Sequence, residues 1–220
     1  MKERPILFST PMVQAVLDDS KTMTRRVIKD QESVEPRLDD PGKGNWVHRN
    51  TLHPCDYACT NEPFELCPYG KVGDRLWVRE SGWQPKDPTP RDIREGADTW
   101  PKYIYTADGI SDIEKEQFKN WGWKSKPSIF MPRWASRINL EITGVRVERL
   151  QEITEEDAKA EGVPIDDSPC DHVRFSCADV RCLGPGYKAS FCELWQHLNA
   201  KRGFGWDVNP WVWVIEFNQV

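Results

Sequence analysis

The sequence has no surplus of positive charge: 30 Lys and Arg stand against 35 Asp and Glu, a formal net charge of −5. This excludes a polyanion binder of the histone or ribosomal kind and requires any nucleic-acid contact to come from a local basic patch, while small substrates remain equally compatible. No apolar run approaches the roughly 20 residues that cross a bilayer, so no membrane partner is expected. The opening Met1-Lys2-Glu3-Arg4-Pro5 lacks the apolar core of a signal peptide. A cytoplasmic location is expected. Tight cysteine pairs are missing too. Seven cysteines, an odd number, point in that compartment to reduced thiols or metal ligands rather than a disulfide framework. Cys55, Cys59 and Cys67 lie with His53, and Cys170, Cys177 and Cys182 with His172, but neither group has the two-residue separations of a zinc knuckle. Free thiols are the simpler reading and a structural zinc the alternative, and no cofactor is required.

What the chain does have is tryptophan, 11 of them, which serves either an aromatic-rich core or a base-stacking surface, the core being the safer reading for most. It also has Ser20-Lys21-Thr22-Met23-Thr24-Arg25-Arg26, an amine, hydroxyls and two guanidiniums within seven residues. An apolar run Pro5-Ile6-Leu7-Phe8 reads as a strand before it, and Thr10-Pro11 opens a helix to Asp18 whose apolar face carries Val13, Val16 and Leu17. Lys21 to Ile28 then alternates as a strand that puts Thr22, Thr24 and Arg26 on one face. A basic exposed strand with no task has the same spacing.

Polar, aperiodic sequence over 29–69 reads as a long insertion. Arg75 to Glu80 alternates as a strand after the turn Gly70 to Asp74. A second insertion, 81–126, holds a strand at Tyr103 to Tyr105, a short helix near Ile113 to Phe118, and aromatics that either cover a pocket or pack the insertion together. Ile138 to Leu150 alternates in two registers, and the break at Gly144 predicts a bulge or bend. Thr154 then caps a short helix stopped by Gly162. A third insertion covers 163–185. Tyr187 to Asn199 reads as a helix burying Phe191, Leu194, Trp195 and Leu198, and Trp211 to Phe217 as a closing strand. The predicted class is α+β: one domain built on a small mixed β-barrel, with helices at its openings and three long loop insertions.

These motifs, in this order, resemble the ASCH domain family. The carriers are Ser20 to Arg26, the run Gly73 to Glu80, the long strand leading into Ile153 to Gly162, and Trp211 to Phe217. The likeness runs nearly end to end and is nearest to the longer members encoded by phages and prophages, which implies a PUA-like barrel and a host cytoplasm. The family covers RNA-related binding modules, a proposed ribonuclease and an N4-acetylcytidine amidohydrolase. In that last branch a lysine, a threonine three residues on, and a glutamate near the end of the helix after the long strand act together. Lys21, Thr24 and Glu161 match those places, with Glu155 and Glu156 as competitors for the third.

Amide hydrolysis on a cytosine needs a nucleophile, a base, an acid for the leaving amine and donors for the oxyanion. Thr24 can attack or hold a water. Lys21 can act as base only if burial or the guanidiniums of Arg25 and Arg26 bring its pKa down from about 10.4, whereas pairing with Glu161 pushes it the other way. Thr22, Arg25, Arg26, Trp77, Arg79 and Glu80 are the expected substrate-binding residues. The rival readings are a non-catalytic module that binds RNA or a modified base, stacking it on Trp77 or Trp134, and a ribonuclease. No protein partner is implied. A closed pocket of nucleoside size favours the hydrolase, and an open basic groove favours the RNA readings.

Overall fold

Strand β9 (Asn139–Arg149) and strand β10 (Trp211–Gln219) form the centre of the molecule, and their sequences explain why. In a computed structural model describing residues 1–32, 34–36, 46–48, 67–87, 101–165, 167 and 183–220, they pair antiparallel over nearly their full lengths. Successive residues of a strand face opposite ways. In β10 the larger set, Trp211, Trp213, Ile215 and Phe217, enters one apolar core, and Val212 and Val214 enter a second. Both faces are therefore buried.

The expected irregularity at Gly144 is present as a register shift, with Glu216 opposite Gly144 and Phe217 opposite Ile142. One extra residue on β9 keeps Leu140 and Ile142 before the bulge, and Val145 and Val147 after it, in the same core. A side chain at Gly144 would put its Cβ 2.5 Å from Glu216 Oε2, so the Glu216 carboxylate lies over the glycine and would have to move aside for a larger residue.

The other strands, in chain order, are β1 (Glu3–Leu7), β2 (Met23–Val27), β3 (Val34–Pro36), β4 (Trp46–His48), β5 (Arg75–Arg79), β6 (Gly82–Gln84), β7 (Ile104–Tyr105) and β8 (Lys124–Lys126). The helices are α1 (Thr10–Leu17), α2 (Asp112–Asn120), α3 (Glu155–Ala160) and α4 (Tyr187–Asn199). The main sheet runs β1-β5-β9-β10-β2, parallel between β1 and β5 and antiparallel elsewhere. The molecule is thus α+β. No ladder joins the edge strands β1 and β2 among the described residues, but Arg26 Nη2 donates to Leu7 O at 2.8 Å, so the two edges approach at that end. No described helix is long and apolar enough to cross a membrane.

Several expectations change in detail. The second strand starts at Met23, because Lys21 and Thr22 pair instead with the end of α3. The stretch 81–126 contains a three-stranded sheet, β7-β6-β8, closed by α2 over Trp83, Phe118 and Trp123. Stacked Phe118 and Trp123, 4.8 Å apart, show that these aromatics pack the insertion together. In α4, Phe191 and Trp195 are buried, but Leu198 is 54% exposed because its face looks into the pocket described below. Most of 29–69 and 163–185 lies outside the described residues, including His53, Cys55, Cys59, Cys170, His172, Cys177 and Cys182, on which the zinc alternative rests. Cys67 and Cys192 are free, and burial pushes both thiols up, Cys192 to about 11.

Candidate active site

Two turns, one after α1 and one after α3, bring together residues 140 apart in sequence. Helix α1 ends at Asp18, and Asp19 takes a left-handed conformation that Asp tolerates better than most residues (φ 56°). Ser20 N and Lys21 N then both donate to Ala15 O at 2.9 Å, which turns the chain back under the helix. Helix α3 is capped by Thr154, whose hydroxyl accepts from Asp157 N, and it ends at Glu161 followed by Gly162 with φ 74°. A Cβ at Gly162 would lie 2.7 Å from the Cβ atoms of both Ala15 and Lys21. Only glycine allows both the left-handed turn and this approach.

Lys21 and Glu161 consequently form an isolated antiparallel bridge, supported by Thr22 N donating to Ala160 O at 2.9 Å. The Lys21 ammonium is buried and donates to Met23 O at 2.8 Å, Glu161 O at 2.7 Å and Glu161 Oε2 at 2.9 Å, using all three of its protons. It also lies 5.4 Å from the Phe8 ring centroid. Burial lowers the Lys21 pKa below its ordinary 10.5, and the charges of Arg26 and Arg25 add to that effect. Glu161 opposes it without reversing it.

Arg25 stands beside the same carboxylate. Its side chain is fully buried, with Nη2 3.0 Å from Glu148 Oε2 and 2.6 Å from Asp157 Oδ2. Its Nη1 lies 3.5 Å from Glu161 Oε1, which accepts no hydrogen bond from the described residues. Arg146 extends the network to Asp157, Glu148 and Glu216.

Lys21, Thr24, Arg25, Arg26 and Glu161 all line one pocket of about 460 Å³, within the range of small-molecule sites. Its apolar walls include Phe8, Met12, Phe191, Leu194 and Trp195, drawn from the end of β1, from α1 and from α4. Thr24 is buried against it, and its hydroxyl makes no hydrogen bond among the described residues.

The remaining expected residues stand elsewhere. Thr22 is exposed and turned away, since the chain there follows the α3 bridge rather than the sheet alternation. Trp77 is buried beneath Arg79 at 4.7 Å and Arg133 at 5.7 Å, which leaves little of its ring for a base. Arg79 donates to Ile129 O. Glu80 is buried in a two-point contact with Arg137 at 3.1 Å for both bonds, and burial raises its pKa. Trp134 is exposed but does not line the pocket. Of the competitors for Glu161, Glu155 instead accepts from the backbone of Tyr187 and Lys188 at the start of α4.

Sequence reasoning missed Lys29, Asn199 and Arg202, which also line the pocket. Nor did it single out Asp157, which pairs with Arg25. Nothing in local spacing ties the end of α4 to the turn after α1. No protein-family model, curated protein or solved structure matches the chain.

Proposed function

We propose that this pocket hydrolyses the acetyl amide of an N4-acetylcytidine-like pyrimidine nucleoside, and that the chain is a member of the ASCH family whose open sheet is the wall of a PUA-like barrel. One observation carries the reading. A buried lysine sits 2.9 Å from a buried carboxylate on the wall of a nucleoside-scale pocket that also presents a threonine hydroxyl with no hydrogen bond among the described residues. The order of sequence motifs supports the family, and the approach of the β1 and β2 edges at Arg26 and Leu7 supports the barrel.

In this mechanism a proton passes from Lys21 to Glu161 across their contact, and rotation about the Cε–Nζ bond turns the lone pair of the neutral amine, whose lowered pKa suits a base, from Glu161 toward Thr24. Lys21 takes the hydroxyl proton of Thr24 as Oγ1 attacks the acetyl carbon. The tetrahedral intermediate collapses, the exocyclic amine leaves with the proton returned by Lys21, and water hydrolyses the acetyl-threonine to acetate. The oxyanion develops in a pocket whose lining includes Arg26, Lys29 and Arg202, three cationic side chains that form no ion pair among the described residues.

The test is cytidine release from N4-acetylcytidine, with Thr24→Val and Lys21→Ala beside the intact protein. Turnover falling at least about 100-fold in each variant is expected of a nucleophile and a base. Thr24→Val keeps the side-chain shape, so full activity in that folded variant removes threonine from the chemistry. Absence of turnover by the intact protein discards the hydrolase and leaves the second reading, a module that binds RNA or a modified base without reaction. The same cationic excess favours that reading.

A further inference from the structure

We propose that Arg26, Lys29 and Arg202 form a phosphate subsite beside the base pocket, so that the ligand is a nucleotide carrying a phosphate ester rather than a bare nucleoside. This rests on the proposed function only for the base, because the phosphate argument comes from charge and geometry alone. Of the five cations lining the pocket, two are already neutralised. Lys21 is paired with Glu161, and Arg25 with Glu148, Asp157 and Glu161. The other three form no ion pair among the described residues. They reach the same space from three places: β2, the residues just after it, and the turn after α4.

The two guanidiniums are oriented by the protein. Arg26 Nη2 donates to Leu7 O at 2.8 Å, and its Cζ lies 5.5 Å from the Phe8 ring centroid. Arg202 Nη1 donates to Asn199 Oδ1 at 3.1 Å, and Asn199 itself is buried, its amide donating to Trp195 O. Each arginine keeps several N–H donors for an anion. Burial is the first cause lowering the Arg26 pKa; Tyr69 and Glu161 oppose it without reversing it, and the charge of Arg202 adds a smaller lowering. Glu161, the acidic side chain of the pocket lining among the described residues, is already engaged by Lys21, so three like charges share the pocket without an ion pair of their own, and a bound dianion lowers their mutual repulsion. Solvated surface cations on a chain of net charge −5 have no such reason to converge. The apolar wall of Phe191 and Trp195 then faces the base, and the cations face the phosphate.

The experiment is calorimetric titration of the intact protein and of a Lys29→Ala/Arg202→Ala double variant. The ligands are inorganic phosphate, cytidine, cytidine 5′- and 3′-monophosphates, and a short single-stranded RNA. A monophosphate binding at least tenfold more tightly than cytidine, with that ratio falling toward one in the folded double variant, is the expected result. A ratio near one in the intact protein overturns the proposal, as does a ratio the variant leaves unchanged. RNA exceeding the monophosphates, with the same loss in the variant, assigns the phosphate to a nucleic-acid backbone; equal affinity assigns it to a free nucleotide. Phosphate-dependent binding without deacetylation keeps this subsite and discards the hydrolase. Deacetylation of nucleoside and nucleotide at equal kcat/KM does the reverse.

Discussion

At the scale of single residues, the pair Lys21 and Glu161 sets the behaviour of the site. Both side chains are nearly inaccessible, at 1% and 5% exposure, so removing either one strands a charge away from water. Lys21→Met is expected to cost about 3–5 kcal/mol in urea unfolding, and Lys21→Met/Glu161→Leu distinctly less, since the double variant leaves no orphan charge. Equal losses in the two would show that the carboxylate is not desolvated. The pH dependence has a definite sign. Because the folded pKa of Lys21 is lowered, the unfolded chain binds more protons between that value and 10.5, so the Lys21 contribution to stability rises with pH through this window. Below the window it is a constant penalty. Unfolding midpoints measured from neutral pH to 10.5 should therefore show a rise in the intact protein that is absent from Lys21→Met. At this scale the sequence was readable where chemistry-bearing residues crowd together, as in Lys21 to Arg26. It was silent about Arg202, whose relevance comes from the packing of α4 against the pocket.

At the scale of elements, α3 and its exit turn deliver Glu161. Thr154→Ala removes the hydroxyl that accepts from Asp157 N and should lower stability by about 1 kcal/mol while leaving the exit turn unaltered. Gly162→Ala acts at the other end. The left-handed φ and the 2.7 Å approaches to Ala15 and Lys21 should cost more than the cap, about 1–3 kcal/mol, and should also displace Glu161 from Lys21. Thermal melts combined with turnover or ligand titration separate the two. If both variants lose stability alone, the turn does not position the carboxylate. The cap, the glycine stop and the β9 bulge could all be read in advance because each is a local backbone feature marked by a small set of residue types. The exposure of Leu198 could not, since the same helical stripe serves equally to fill a core or to line a cavity.

At the scale of the whole molecule, the two large cores share β10, with β9 paired to it and packed into the first, whereas Trp83, Phe118 and Trp123 form a small one of their own under α2. Few buried apolar contacts make a unit that opens before the rest. Hydrogen exchange should be slowest at the amides of β9 and β10 and measurably faster in β6, β8 and α2. Uniform protection would mean that the insertion and the main sheet unfold as one. The α+β class followed from strand and helix periodicities, but strand order did not, because pairing partners are chosen by long-range packing that no short window records.

The place of β10 between β9 and β2 also has a consequence for synthesis. Gln31, just past β2, finds its partner Trp211 only 180 residues later, roughly 10–40 s at ribosomal elongation rates of about 5–20 residues per second. Through that interval the segment bearing Lys21, Thr24 and Arg25 has emerged, but the strand that pairs with it has not yet been made. The nascent chain must therefore carry an unpaired strand rich in basic residues, which its charge helps to keep from pairing with a neighbouring polypeptide on the same polysome.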